Sequence, residues 1–127
     1  EEYLRGMREV AEESFRVLKP KRYCAILIGD TRKHRHYVPI AFRVMQQFLD
    51  VGFILKEDII KMQWHTKTTE KKWVGLAKTA NECWVEKPEG KQHWMDFYLI
   101  AHEHLFVFRK PDSNENVNEY RDSMKWW

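Results

Sequence analysis

The stretch ILIGDTRKHRHYVPIAF, from Ile26 to Phe42, joins two apolar segments through a short basic one. A short run that is apolar throughout, like the one ending before Asp30, is typical of a strand covered on both faces. The polar residues from Thr31 to His36 follow it directly. Because ligands bind beyond the carboxyl ends of strands in open α/β sheets, this stretch predicts a buried strand that opens into a basic, ligand-facing loop.

Apolar residues recur every three or four positions on both sides of this stretch, which predicts two amphipathic helices. Their stripes are Leu4, Met7, Ala11, Phe15 and Leu18 in the first, and Ile40, Ala41, Val44, Met45, Phe48 and Leu49 in the second. Pro39 suits a first helical turn, and Gly52 suits the end of a helix. Both helices therefore present an apolar face to a common core.

Two further strands are predicted, one over residues 53–65 with a bend near Glu57-Asp58, and one that ends at Lys110. Residues 66–92 lack a clear period, and long excursions of this kind are usually functional or disordered. The order predicts an α/β domain over residues 1–110, in which the last two strands form an antiparallel pair at one edge. Residues 111–127 are predicted to be a polar tail, with a short helix near its end.

Composition narrows the class of protein only moderately. The formal charge of +3 and a pI near 8.9 are mildly basic and do not by themselves establish nucleic-acid binding. No window approaches the ~18 apolar residues of a membrane span. Cys24 and Cys83 give no disulfide framework, and no signal peptide is visible, so we expect a cytoplasmic protein without a membrane partner. The chain opens at Glu1 rather than Met, which suggests a processed product or an excised domain.

Four short segments of the chain, taken in their order and spacing, resemble those of a known protein family. They are RVLKP from Arg16 to Pro20, IGDTR at residues 28–32, the helix after Pro39 that closes on Gly52-Phe53, and the strand that opens at His102-Glu103 and ends FVFRK. Together they resemble the middle portion of the DNA methylases that modify the exocyclic amino group of adenine or cytosine, in their permuted subclass. The resemblance covers roughly residues 1–110, apart from the excursion. Lys21 departs from the pattern, since glycine is usual there.

The resemblance implies a partial Rossmann-like class I methyltransferase sheet with an antiparallel edge strand. It also implies a DNA methyltransferase of the restriction-modification kind that uses S-adenosylmethionine, and an RNA methyltransferase on the same fold is the alternative. The family needs a Pro-Pro-Tyr/Phe motif and a glycine-rich turn. This chain has no Pro-Pro pair, and its glycines are scattered singly, so we expect no catalytic and no cofactor-binding residue in it and no activity or cofactor for the chain alone.

The resemblance also implies DNA as the partner, with self-association or association with the missing half of the domain as further expectations. The candidate nucleic-acid contacts are Thr31, Arg32, Lys33, His34, Arg35 and His36 in the loop, and Lys67, Lys71, Lys72 and Trp73 in the excursion. Basic side chains neutralise phosphates, and aromatic rings stack on bases. The alternatives are a solvated surface loop, an excursion whose tryptophans pack on the core, and a non-catalytic nucleic-acid-binding or interaction module with a methylase-like half fold.

A metal site and a catalytic carboxylate are further possibilities. Histidines occur as i, i+2 pairs at His34/His36 and His102/His104, which suits two ligands on one face of a strand. No Cys-x-x-Cys or His-x-x-x-His spacing supports them, so ordinary strand and loop histidines are predicted, without metal. Asp30 is predicted to cap the following loop or helix rather than to act in catalysis.

Overall fold

The computed structural model describes residues 1–34, 36–63 and 100–125. The elements are α1 (Glu2–Val17), β1 (Tyr23–Gly29), β2 (Thr31–Lys33), β3 (His36–Val38), α2 (Ile40–Val51), β4 (Ile54–Met62), β5 (His102–Arg109) and a 3-10 helix (Val117–Ser123). Both predicted helices and all three predicted main strands are present. Neither α-helix in the described ranges is both long and apolar enough to cross a membrane.

The main sheet has three strands in the order β1-β5-β4, and β5 is antiparallel to both neighbours. The antiparallel pairing of the last two strands is thus confirmed. The edge position predicted for the reversed strand is wrong, since β5 lies in the middle and pairs with β1 from Tyr23↔Arg109 to Gly29↔Glu103. The apolar pattern of β5 cannot distinguish an edge from a centre, because it specifies burial and not which strand lies on either side.

The core lies between α2 and one face of this sheet. Its members are Ala11, Ala41, Val44, Met45, Phe48, Leu49, Phe53, Phe106 and Phe108, all at most 5% exposed. The rings of Phe48 and Phe108 stack with centroids 4.9 Å apart, and Phe15 meets Phe53 edge-on at 5.0 Å. The apolar stripes predicted for both helices therefore do form one common core.

The opposite face of the sheet is not covered by the described residues. Tyr23 is 56% exposed, Leu27 51% and Ile59 48%. The prediction that β1 is covered on both faces is therefore wrong for the described part of the chain. Its apolar residues do alternate between two sides, as a strand requires, but α1 and α2 pack only on the side that carries Ile26.

The ends of the sheet carry two local features. The pairing of β4 with β5 shifts register between Leu55 and Glu57, next to the predicted bend. A single extra residue of this kind bends a strand and increases its twist.

The segment after β5 is fixed by two polar contacts. Arg109, the last residue of β5, forms an ion pair with Glu115 at 2.9 Å. The 3-10 helix begins after Asn116, whose side chain accepts a hydrogen bond from the Asn118 N–H. The division of the chain at residue 110 stays a prediction.

Substitutions at Gly52 and Gly6 test the backbone conformation at the end of α2 and inside α1. Gly52 ends α2 at φ +123°, where an added Cβ would also lie 3.4 Å from the Phe15 ring, whereas a Cβ at Gly6 in α1 would meet nothing within 4 Å. We expect Gly52→Ala to lower the free energy of unfolding by about 1–3 kcal/mol, since non-glycine residues are strained there. We expect Gly6→Ala to raise it by roughly 0.5–1 kcal/mol. Urea unfolding of both variants checks this, and equal effects would contradict the assigned backbone at Gly52.

Candidate functional site

The basic segment after β1 is a short β-hairpin and not the loop that the sequence predicted. Strands β2 and β3 pair from Thr31↔Val38 to Lys33↔His36. His34, in the connection, has φ +50°, a left-handed conformation that two-residue hairpin turns require. The sequence has no Asn-Gly or Asp-Gly at this point, so its strongest hairpin signal is missing.

The two faces of the hairpin differ in chemistry. Cross-strand partners point to the same side, so Lys33 and His36 share one face, and Arg32 and Tyr37 share the other. Thr31, Lys33, His34 and His36 are exposed, whereas Arg32 is half-buried with its guanidinium carbon 5.7 Å from the centre of the Tyr37 ring. Lys33 and His36 are thus presented to solvent together, as a contact to a charged ligand would require.

Asp30 connects the hairpin to the start of α2. Its side chain is fully buried, and its Oδ1 accepts from the Ala41 backbone N–H at 2.8 Å. Pro39, which precedes α2, provides no side-chain cap. The predicted capping role of Asp30 is confirmed, and it satisfies one of the amide groups that every helix start leaves without an intrahelical partner. Its Oδ2 accepts from the Tyr37 hydroxyl, which fixes β3 to the same carboxylate.

His104 lies between two carboxylates on the buried face of β5. It is 5% exposed, its Nδ1 lies 2.9 Å from Asp58 Oδ1, and its Nε2 lies 3.7 Å from Asp30 Oδ2. The ring stacks on Phe106 with centroids 5.2 Å apart. Ligand atoms of Asp30, His102 and His104 all lie within 4.8 Å of one another. The sheet, the hairpin and the helix thus meet at one polar cluster, formed by Asp30, Tyr37, Asp58, His102 and His104, of which the Asp30 and His104 side chains are buried.

Tyr37 remains a proton donor in this cluster at neutral pH. Partial burial of the ring and its hydrogen bond to the Asp30 carboxylate raise the pKa of Tyr37 to about 12. Both causes act in the same direction, since burial disfavours a phenolate and a neighbouring carboxylate repels it. The phenol therefore stays neutral and continues to donate to Asp30 over the physiological pH range.

The polar cluster lies at the edge of the sheet where β1 and β4 both end. Strands β1 and β4 are both antiparallel to β5, so their carboxyl ends, at Gly29 and Met62, meet the start of β5 at His102. At this edge Lys61 lies 3.7 Å from Glu103, and Glu103 packs against Gly29. The hairpin follows β1 directly, so its basic residues are held at the same edge.

Part of the predicted site lies outside the described residues. This is the case for Arg35, Lys67, Lys71, Lys72 and Trp73. Among the described residues, the sequence analysis missed Tyr37 and Asp58 as partners of the cluster. No local pattern links Asp58 to His104, because their contact depends on strand register.

Comparison with known proteins places this arrangement in a family. The family model described as DNA methylase matches residues 1–126. The fold is similar to a proposed DNA modification methylase from Thermus thermophilus, with a TM-score of 0.56 and 20% sequence identity. That comparison covers 94% of this chain and 42% of the other, so this chain spans less than half of that protein's length. No curated protein matches the chain. With the family model matching almost the whole sequence, this chain belongs to the DNA methylase family.

Proposed function

We propose that this chain is the scaffold and DNA-contacting part of a DNA methyltransferase. The whole enzyme would transfer a methyl group from S-adenosylmethionine to the exocyclic amino group of adenine or cytosine in duplex DNA. Membership of the DNA methylase family supports the reaction class. The observation that carries the role of this chain is the basic hairpin, held by a buried carboxylate at the edge of the sheet where β1 and β4 both end.

The hairpin can contact the DNA backbone in a defined orientation. Lys33 and His36 lie opposite each other and are both exposed, so both can donate hydrogen bonds to phosphate oxygens. Phosphate contacts set the register and orientation of a protein on the duplex and carry no sequence information. Because Tyr37 and the start of α2 share Asp30, the hairpin would keep one orientation relative to the sheet when DNA approaches.

The cofactor would be bound mainly by residues outside this chain. A glycine-rich turn allows a backbone to lie against a cofactor, and none of the glycines in the described ranges offers such a surface. A side chain at Gly29 would meet Glu103, one at Gly52 would meet Phe15, and Gly6 lies inside α1. None of these three glycines forms a glycine-rich turn, and we expect the isolated chain to be inactive and to bind no S-adenosylmethionine.

The uncovered face of the sheet indicates a further protein contact. Open α/β sheets carry helices on both faces, and here Tyr23, Leu27 and Ile59 remain exposed on the second face. The remainder of the methylase domain would cover them in the whole enzyme. In the isolated chain a second copy can do so, and sedimentation velocity at rising protein concentration would detect this self-association.

The salt dependence of DNA binding tests the role of the hairpin. Replacement of Arg32, Lys33 and Arg35 by alanine should weaken binding to duplex DNA. It should also flatten the slope of log K against log [salt] by about 1.8, since each lost phosphate contact removes about 0.9 and the half-buried Arg32 is not counted as one. Fluorescence anisotropy over a range of salt concentrations measures both quantities.

The control variant removes the same number of positive charges at another place in the chain. Arg5, Arg16 and Lys19 are also basic and exposed, but they lie on or just after α1, away from the hairpin. Their replacement by alanine should leave the slope nearly unchanged. Equal effects of the two triple variants would show that only net charge matters, and they would contradict the proposal. Parallel titrations with duplex RNA distinguish the RNA methyltransferase alternative, which predicts tighter binding to RNA.

A further inference from the structure

We propose that Asp30, His102 and His104 form a binding site for a divalent transition-metal ion of the zinc type. The candidate ligand atoms are a carboxylate oxygen and two imidazole nitrogens, all within 4.8 Å of one another. Two imidazoles and one carboxylate form a donor set that zinc uses in proteins, with a remaining position for water. The site shares Asp30 with the support of the hairpin, whereas its two histidine ligands lie on β5 and not on the hairpin.

The orientation of His104 is the first argument. Its Nδ1 lies 2.9 Å from Asp58 Oδ1, a normal hydrogen-bond distance, and a carboxylate there selects the ring tautomer that carries its proton on Nδ1. Nε2 then carries a lone pair, and it lies 3.7 Å from Asp30 Oδ2. Two acceptors that face each other at this distance repel, unless a positive charge lies between them.

A metal ion accounts for this distance better than a direct hydrogen bond does. At 3.7 Å, Nε2 and Oδ2 are too far apart for a good hydrogen bond. Ligand bonds to zinc measure about 2.0–2.2 Å, so a metal between these atoms would hold them at roughly such a separation. Asp30 Oδ2 accepts from Tyr37, but a carboxylate oxygen has two lone pairs, so one remains for the metal.

The surroundings of His104 are the second argument. Histidines that bind metals almost always donate their other ring N–H to a carboxylate, a backbone carbonyl or water. Asp58 occupies that position, and its side chain is only 35% exposed. His102 is two residues away on the same face of β5, with its ring centroid 5.3 Å from that of His104. The spacing of the two histidines was visible in the sequence, but their approach to Asp30 follows only from the fold.

Titration of the full-length chain with Zn²⁺, and with Co²⁺ as its spectroscopic substitute, tests the site. After removal of bound metal with a chelator, we expect one Zn²⁺ per chain at micromolar or lower Kd, visible d–d absorption with Co²⁺, and a raised Tm. His102→Ala should abolish these effects, and because His102 is only partly buried, this variant should fold. Asp58→Asn should weaken Zn²⁺ binding by about 10- to 100-fold, as loss of such outer partners does elsewhere.

The control is His34→Ala together with His36→Ala, which removes two exposed histidines of the hairpin. This variant should bind Zn²⁺ like the wild type. Three results would overturn the site: no binding to the wild type below 100-micromolar Zn²⁺, binding that survives His102→Ala, or binding lost with the hairpin histidines. If the wild type did not bind Zn²⁺, a proton on Nε2 would lie between His104 and Asp30 in place of the metal.

Discussion

Asp30→Ala should lower the free energy of unfolding by about 2–5 kcal/mol, because it leaves hydrogen-bond donors without their acceptor, at about 1–3 kcal/mol for each buried one. The loss has three sources in this structure. The Ala41 N–H loses its acceptor, the Tyr37 hydroxyl loses its partner, and His104 loses one of the two carboxylates that flank it. Chemical denaturation in the presence of a chelator measures the change without any contribution from bound metal.

Asp30→Asn is the matched control for this prediction. Asparagine keeps an oxygen that can accept from the Ala41 N–H, so the start of α2 stays capped, whereas the charge and the acceptor for the Tyr37 hydroxyl are lost. We expect a smaller loss of stability than with alanine. If Asp30→Ala unfolded within about 0.5 kcal/mol of the wild type, the range of ordinary surface substitutions, Asp30 would not connect the hairpin, the helix and the sheet as described.

Phe108→Ala should also destabilise the chain by about 3–5 kcal/mol, through the lost burial of a ring and the cavity that remains. Phe108 is completely buried on the central strand β5, where its ring lies against Phe48 at 4.9 Å and Phe53 at 5.8 Å. Both neighbours belong to the α2 side of the core, so the cavity would open between helix and sheet. Thermal and urea unfolding measure the loss.

Leu27→Ala makes the matched comparison for Phe108. Leu27 lies on β1, on the face of the sheet that the described residues leave uncovered, and it is 51% exposed. Its replacement should change the stability of the dilute monomer by less than about 1 kcal/mol. If Leu27→Ala cost as much as Phe108→Ala, the core would not lie on the α2 face alone.

The elements defined by local patterns could be predicted from the sequence. The three- and four-residue spacing of apolar side chains identified α1 and α2, and the uninterrupted apolar run identified β1. Gly52 marked the end of α2 because the chain there needs a positive φ that other residues resist. Each of these features depends on residues close together in the chain, which is why periodicity and turn chemistry sufficed.

The hairpin and the strand order could not be predicted in the same way. Strands β2 and β3 have three residues each, too few to establish an alternation. Lys33 in β2 also belongs to a residue type that occurs rarely in strands. The central position of β5 depends on which edges remain available when the sheet assembles. Its sequence reads the same at the edge or in the middle, so the predicted edge strand was a topological error and not a misread pattern.

The polar cluster around Asp30 and His104 was the hardest feature to predict from the sequence. Asp30 could be recognised as a capping residue, since a carboxylate after a strand commonly serves that purpose. Its proximity to His104 depends on the register that pairs Ile28 with His104 across β1 and β5. A one-residue slip would turn His104 to the uncovered face of the sheet. Residues far apart in the chain therefore meet only because the whole sheet fixes their positions.

The central claim is that the Asp30-held hairpin is the surface of this chain that meets DNA. Site-specific photo-crosslinking tests it most directly, with a benzoylphenylalanine placed at position 33 in the hairpin or at position 19 after α1, and duplex DNA as the target. We expect crosslinks to form many-fold more efficiently from position 33, and to decline in Asp30→Ala. Equal crosslinking from both positions, or preferential crosslinking from position 19, would contradict the claim.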